Sequence, residues 1–321
     1  MKEYNSVDLV KVCMAFVVVA IHTHPQDACS IIWVKELLTS IYNLAVPFFF
    51  VASGFLVWKS ISDASKEKRL LRLKRWINKT ARLYVLWTLI YIPFTIYGFY
   101  KDDVELPKSL IVFIRNFLFV GENYLSYPLW YLLGALVAGS VIYLMVKWNF
   151  KVWQMYIVGI FLALVGFCLD EGIIFSGIYE YLFKTTRNGL FQGLPYILIG
   201  VLIAYEGGIT SKKILCALLV VGFSLCLLGV ELFKFLVIYS FFSLVIQTDM
   251  KGNNDSFFEN LRLISTVVYF VHMIWVGFIV IFFPNIFSSI SLFVVVAVLS
   301  LATALVVIKN QSVNAIKLLF K

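Results

Sequence analysis

A lysine and a histidine share one face of the first apolar segment, residues 5–25. Lys11 and His22 are eleven positions apart, and because each residue turns an α-helix by about 100°, their directions differ by roughly 20°. The helical rise separates them by about 16 Å, about half of a ~30 Å hydrocarbon core. An ionisable group at such depth marks a functional site by default. The alternative is that His22 only bonds a neighbouring helix or lies where the helix leaves the membrane.

A second intramembrane histidine belongs to a polar stripe near the C-terminus. Ser265, Tyr269 and His272 follow one another at i, i+4 and i+7, so they share one face of a helix. Such a stripe is most often used for hydrogen bonds between helices. Together with His22, it still indicates a polar interior.

The most basic part of the chain is the segment 59–82, with nine lysines and arginines. Beside a span, such a run usually contacts anionic lipid headgroups, at about 1 kcal/mol per charge. Arg75 and Arg82 are seven positions apart and therefore lie on one helical face. Their guanidinium groups suit a phosphate-rich ligand arriving from the cytosol.

Small residues and interfacial aromatics form two weaker candidate sites. Ser53 and Gly54 follow Pro47 in an apolar run, and their small side chains let a neighbouring backbone or a ligand approach closely. Trp130 and Tyr131 lie where aromatic belts occur. The functional interpretation makes these two aromatic residues the walls of an outward-opening site.

Arg187 and Asn188 begin another apolar segment at its predicted outer end. Arg187 alone is explained by snorkelling to the interface. The additional polar groups, together with Gly189 and Pro195, favour an irregular helix end that lines a cavity.

The composition predicts an all-α, polytopic integral membrane bundle forming a single domain over residues 1–321. Hydrophobic residues make up 61% of the chain and charged residues only 14%, against about 25% charged in soluble domains. The first span should remain uncleaved, because no small-residue cleavage site follows it. We predict about ten spans, at 7–24, 38–58, 80–100, 128–147, 152–169, 188–205, 214–231, 233–248, 263–284 and 289–308. Short stretches at 30–38 and 107–120 are expected to lie along the outer surface.

The loop charges predict one orientation. The basic segment 59–82 belongs in the cytoplasm by the positive-inside rule, and both termini then lie inside. The acidic clusters at 102–105 and 170–171 fall outside. The net charge of +9 is explained by this loop bias, so we expect membrane lipid and no nucleic acid as a partner.

Five segments, taken in order, resemble the acyltransferase-3 family of bacterial integral membrane acyltransferases. They are SVDLVKVCMAFVVVAIHTH, VPFFFVASGFLVWK, KTARLYVLWTLIY, PLWYLLGALV and STVVYFVHMIW. The family usually has an arginine, then ten other residues, then the histidine, and this chain has Lys11 at the position of that arginine. The stretch TRNGLFQGLPYILIGVLIA is similar to the membrane domain of VanT-type serine racemases.

The resemblance implies a multi-pass protein of the bacterial plasma (inner) membrane. It would move an acyl group, with acetyl expected first, from cytosolic acyl-CoA to a hydroxyl of a cell-surface or lipid-linked carbohydrate. No metal is expected. His22 would be the general base. Independently of the resemblance, Asp8 should pair with Lys11, because the two residues lie one helical turn apart. Donor contacts are assigned to Lys11, Arg75, Arg82 and Ser53, and acceptor or oxyanion contacts to Trp130, Tyr131, Arg187, Asn188, Tyr269 and His272.

Two other functions remain open. The similarity to VanT-type membrane domains favours a transporter of a small polar solute such as serine. The lysine in place of the usual arginine is compatible with a non-catalytic component of polysaccharide assembly. Self-association or a partner protein is allowed by the small-residue spans but is not required by them.

Overall fold

The chain folds into α-helices joined by short turns. The computed structural model describes residues 4–173, 177–209, 211–248 and 255–320, and no strand occurs in them. The helices are α1 (Asn5–Thr23), α2 (Ile32–Tyr42), α3 (Ala45–Ile61), α4 (Lys66–Lys101), α5 (Leu106–Arg115), α6 (Trp130–Lys147), α7 (Val152–Asp170), α8 (Gly177–Phe183), α9 (Leu194–Glu206), α10 (Lys212–Leu227), α11 (Lys234–Gln247), α12 (Asp255–Phe282), α13 (Ser289–Lys309) and α14 (Asn314–Phe320). Two π-helical turns, Asn116–Val120 and Gly189–Gly193, precede α6 and α9.

Most of the predicted spans are confirmed as membrane-length helices. Among the described residues, eight helical segments are long and apolar enough to cross a membrane. They are Asn5–Thr23, Ile32–Ile61, Lys66–Lys101, Tyr127–Lys147, Val152–Asp170, Gly189–Glu206, Ser256–Phe282 and Ser289–Lys309. The predicted all-α polytopic membrane bundle is therefore confirmed.

The other two predicted spans are shorter helices than expected. The predicted segments 214–231 and 233–248 correspond to α10 and α11, which have 16 and 14 residues. At 1.5 Å per residue these helices are about 24 and 21 Å long, less than the ~30 Å hydrocarbon core. They form an antiparallel hairpin, because the side chains of Tyr239 and Gln247 both bond the backbone of Ile209.

The second span is interrupted in its outer third. The helix breaks at Asn43 and Leu44, between α2 and α3, whereas the sequence predicted one helix over 38–58 bent at Pro47. A proline ring clashes with the carbonyl four residues earlier, which is that of Asn43. Pro47 therefore lies in the first turn of α3, and the stretch 30–38 contributes the beginning of α2.

The basic segment continues into the third span without interruption. The helix α4 runs for 36 residues from Lys66 to Lys101, or about 54 Å. Such a helix exceeds the hydrocarbon core by several turns. Its basic first half therefore extends beyond the core, as the charge pattern predicted.

The chain divides into two compact units. The first unit comprises Met1–Phe49 and Gly208–Lys321, and the second comprises Phe50–Gly207. In the first unit, α1 packs along α12, and α12 also packs along α13. In the second unit, α4 packs against α6, and α7 packs against α9.

Two pairs of contacts show that α1 and α12 run parallel. Asp8 of α1 meets Arg262 of α12, and His22 of α1 meets His272 of α12. The first contact joins the N-terminal halves of the two helices, and the second joins their C-terminal halves. The sequence-based orientation requires this arrangement, because it makes both helices run from the inside to the outside.

Candidate functional site

An ionic cluster joins the N-terminal halves of α1 and α12. The carboxylate of Asp8 is buried, and its Oδ1 lies 3.7 Å from Lys11 Nζ. The other carboxylate oxygen, Oδ2, lies 3.4 Å from Arg262 Nε. The predicted pairing of Asp8 with Lys11 is confirmed. Among the described residues, the contacts that define this cluster join two cations to one carboxylate, and an excess of positive charge can attract an anion.

Two histidines meet at the other end of the same helices. The rings of His22 and His272 stack with their centroids 5.4 Å apart and an interplanar angle of 29°. His22 lies in the last turn of α1 and is partly exposed, whereas His272 is fully buried. The ring of Tyr269 stands edge-on to His272 at 6.4 Å. Three residues predicted from the sequence are therefore brought together here.

The hydrogen bonds of His272 define which of its nitrogens can act on a ligand. Its Nδ1 lies 3.0 Å from the carbonyl oxygen of Val268. Because a carbonyl only accepts hydrogen bonds, Nδ1 carries the proton and Nε2 of the neutral ring is an acceptor. This Nε2 is buried and has no hydrogen-bond partner among the described residues. The histidine pair can therefore accept one more hydrogen bond in a buried place, beside the partly exposed ring of His22.

Arg262 is the residue of this site that the sequence-based list lacked. It lies three positions before Ser265 on the same face of α12, so extending the stripe by one turn would have found it. A guanidinium group is a planar fork of donors, which the ammonium group of Lys11 lacks. The cluster thus contains an arginine although the usual arginine position of the first helix is a lysine.

In the second unit, two predicted site residues are joined by a hydrogen bond. Ser53 Oγ and Tyr131 Oη are 2.8 Å apart. Phe50 packs against both aromatics of α6, with ring centroids 4.6 Å from Tyr131 and 5.7 Å from Trp130. Ser53 was assigned to the donor and Tyr131 to the acceptor, but the structure places them in one pair. Their contacts with either substrate stay predictions.

Gly54 allows a close approach of backbone. A Cβ added at Gly54 would lie 2.0 Å from the carbonyl oxygen of Ile197, and one added at Gly200 would lie 2.1 Å from that of Val51. The helices α3 and α9 therefore cross in direct backbone contact. The small side chains were expected to let either a neighbouring backbone or a ligand approach closely, and at Gly54 the structure shows a neighbouring backbone.

Asn188 serves as the cap of the π-helical turn before α9. Its side-chain oxygen accepts hydrogen bonds from the backbone N–H groups of Leu190 and Phe191, at 3.0 and 3.1 Å. Its amide nitrogen donates to the hydroxyl of Tyr179 at 3.0 Å. The structure thus gives Asn188 a structural task, and its contact with an acceptor stays a prediction. Its neighbour Arg187 is exposed.

Arg75 and Arg82 lie on α4 and are both exposed. Their spacing on an uninterrupted helix confirms that they share one face. Their role in binding a donor remains a prediction.

Comparison with known proteins identifies the family. The family described as "Acyltransferase domain" (acyltransferase-3) matches residues 4–309. An "Amino-acid racemase" of Enterococcus faecalis is 22% identical over 280 residues, which are 84% of this chain and 37% of that protein. A "Serine/alanine racemase" of Enterococcus gallinarum is 30% identical over 211 residues, or 62% of this chain and 29% of that protein.

These racemases are much longer proteins. The chain matches only about a third of their length. No solved structure matches it. The family match over nearly the whole chain and the membrane-length helices agree with each other. The chain is a multi-pass membrane protein and belongs to the acyltransferase-3 family.

Proposed function

We propose that this chain moves an acyl group from cytosolic acyl-CoA to a hydroxyl of a cell-surface or lipid-linked carbohydrate on the outer face of the bacterial plasma membrane. Acetyl is the first acyl group to test. The observation that carries the proposal is the layout of α1 and α12. A cluster with excess positive charge lies at one end of this helix pair, and two stacked histidines lie at the other. An extended pantetheine arm can span the ~16 Å that helical geometry gives between Lys11 and His22.

The reaction needs a proton acceptor at the acyl end. The hydroxyl oxygen of the acceptor bonds to the thioester carbonyl carbon, and the carbon–sulfur bond breaks. His22 takes the hydroxyl proton and gives it to the departing coenzyme A thiolate. Such general-base assistance is typically worth about 10² to 10⁴ in rate. His272 holds its own proton on Nδ1 against Val268, and its Nε2 can accept a hydrogen bond from the hydroxyl group.

The catalytic role is tested with two matched histidine variants in nanodiscs. Acyl transfer and the slow hydrolysis of acetyl-CoA are followed by thiol release. We expect His22→Asn to lower thiol release at least 100-fold while acetyl-CoA still binds. His24→Asn is the control, because His24 is exposed at the end of the same helix and its backbone has φ 51°, which asparagine tolerates. Equal activities of the two variants would remove His22 from this role.

The donor side is tested by binding alone. We expect the double variant Arg75→Ala/Arg82→Ala to weaken acetyl-CoA binding in proportion to the lost phosphate contacts. The control is Lys68→Ala/Lys74→Ala, which removes two charges from the same helix. If both double variants weaken binding equally, only the general positive charge of α4 matters, and the specific assignment to the two arginines fails.

The relatives favour a second candidate function. Their names, amino-acid racemase and serine/alanine racemase, make serine the first solute to test for transport by this chain. Uptake of labelled serine into proteoliposomes without any thioester would support that function. A protein that neither turns over acetyl-CoA nor transports serine would fit the non-catalytic component of polysaccharide assembly.

A further inference from the structure

A cavity lies within the second unit, at the end that the basic segment marks as cytoplasmic. Its volume is about 590 Å³, within the 300–1,000 Å³ that is typical of small-ligand sites. It is bounded by the C-terminal ends of α3, α6 and α9 and by the N-terminal ends of α4 and α7. None of the residues discussed above as candidate site residues lines it.

Two hydrogen-bond donors of the cavity wall have no partner in the part of the chain that the structure describes. The indole Nε1 of Trp58 and the hydroxyl of Tyr156 are both buried, and neither has a hydrogen-bond partner among the residues described. Buried polar atoms nearly always have a partner, and an unsatisfied one costs about 1–3 kcal/mol. Two of them in one cavity therefore indicate a ligand that accepts hydrogen bonds.

The charges around the cavity favour an anion. Lys66, Arg69 and Lys151 contribute three positive charges to its lining, against one negative charge from Glu206. Lys66 is also the first residue of α4, an end at which a helix favours anions. The C-terminal ends of α3, α6 and α9 act in the opposite sense, so the basic side chains decide the sign of the charge around the cavity.

Arg69 is held in place for such a ligand. Its Nε donates to the carbonyl oxygen of Ala64 at 2.8 Å, and its Nη2 donates to that of Ser62 at 2.6 Å. A guanidinium group has five N–H donors, so three remain after these two bonds. A fixed guanidinium group loses little freedom when it binds the oxygens of a phosphate.

We propose that this cavity binds a phosphate group, through the Trp58 and Tyr156 donors and the surrounding basic side chains. Trp153 and Tyr205 add aromatic surface, which suits either a nucleobase or the glycerol and acyl part of a lipid. A phosphate can reach this end from an anionic phospholipid or from a soluble nucleotide such as the adenosine bisphosphate part of coenzyme A. The inference does not depend on acyl transfer.

The test measures binding to the full-length protein with two probes. Labelled adenosine 3′,5′-bisphosphate is titrated in phosphatidylcholine nanodiscs, and phosphatidylglycerol is titrated in detergent with native mass spectrometry as the readout. We expect saturable binding of one probe, which identifies the source of the phosphate. Added salt should weaken the binding, because it screens charges.

Matched variants place the bound phosphate in the cavity. Trp58→Phe/Tyr156→Phe keeps an aromatic ring at each position and removes both donors. We expect it to weaken binding about tenfold or more, since hydrogen bonds to charged groups are the stronger kind. The control Trp148→Phe/Tyr143→Phe makes the same changes outside the cavity lining. Likewise, Lys151→Gln should weaken binding about fivefold, and Lys147→Gln should leave it within twofold.

Two results would overturn the inference. The first is that neither probe binds saturably to the folded wild type, in which case water suffices for the two donors. The second is that the cavity variants and their controls behave alike. Because binding is measured without an acceptor and without turnover, either result leaves the proposed acyl transfer to be judged by its own assay.

Discussion

Asp8 is the residue on which the charge balance at the N-terminal end of α1 depends. It is buried and contacts Lys11 and Arg262 at once. Removing one partner of a buried ion pair leaves an uncompensated charge, which typically costs 3–5 kcal/mol. Here the cost is reduced, since the Arg262 side chain is 38% exposed.

We therefore expect Asp8→Asn to lower the free energy of unfolding by about 2–3 kcal/mol. The double variant Asp8→Asn/Lys11→Met should recover most of this loss, because the remaining cation, Arg262, can reach water. Thermal unfolding in detergent at low salt measures both. Additive effects of the two substitutions would show that the carboxylate and the ammonium group do not interact.

Glu122 connects stability to pH in the loop before α6. Burial raises the pKa of this carboxyl group, and the nearby Arg187 and Lys184 oppose the rise only in part. A carboxyl group whose pKa is higher in the folded than in the unfolded state destabilises the fold once it is ionised. Its cost therefore develops as the pH rises through the unfolded pKa, near 4.3, towards the folded pKa.

The predicted consequence is a pH-dependent gain for Glu122→Gln. This variant should have a higher Tm than the wild type at pH 7 and the same Tm at pH 3.5, where glutamate is protonated in both states. Glu171→Gln is the control on the same side of the protein, because Glu171 is exposed. A gain that is equal at both pH values would mean that lost charge is not its cause.

The crossing of α3 and α9 leaves no room for added side-chain atoms at two glycines. Added Cβ atoms at Gly54 and Gly200 would meet backbone carbonyls at 2.0 and 2.1 Å. Backbone cannot move aside as a side chain can, so the two helices would have to separate. Overpacking of this kind typically costs 1–3 kcal/mol.

We predict that Gly54→Ala and Gly200→Ala each lower the free energy of unfolding by about 2 kcal/mol or more. Gly222→Ala in α10 is the matched control, because its Cβ would meet side chains and no backbone, with Val237 at 3.1 Å and Leu236 at 3.5 Å, and alanine is the better helix former. Thermal unfolding in detergent compares the three. A loss for Gly222→Ala as large as the other two would attribute the effect to α-helical glycine in general.

At this scale, the sequence predicts contacts between residues that are close along the chain, and it does not predict contacts between distant helices. The pairing of Asp8 with Lys11 lies within one helical turn, and helical geometry alone predicted it. The bond between Ser53 and Tyr131 joins residues 78 positions apart, and the periodicity of one sequence does not say which helices are neighbours. The stripe of α12 was recognised, but its partner His22 was assigned separately because only the fold brings the two histidines together.

At the scale of the molecule, the number of spans depends on the α10–α11 hairpin. Both helices are shorter than the hydrocarbon core is thick, yet their turn contains an ion pair between Glu231 and Lys234. Charged side chains are costly at the centre of a bilayer. The turn should therefore reach the outer interface, with the bilayer locally thinned around the hairpin. Whether or not it crosses the membrane, the hairpin returns the chain to the side from which it entered.

This arrangement predicts the labelling of single cysteines in intact cells, with the five native cysteines replaced by alanine. A membrane-impermeant maleimide should label Val230→Cys, which lies in the turn, without permeabilisation. Ser211→Cys, at the N-terminus of α10, should be labelled only after permeabilisation. Labelling of Ser211→Cys from outside, with Val230→Cys protected, would reverse the orientation assigned from the basic loops. If both cysteines were protected in intact cells and labelled only after permeabilisation, the hairpin would not cross. The spans would then be the eight membrane-length helical segments of the described residues, with both termini still on one side.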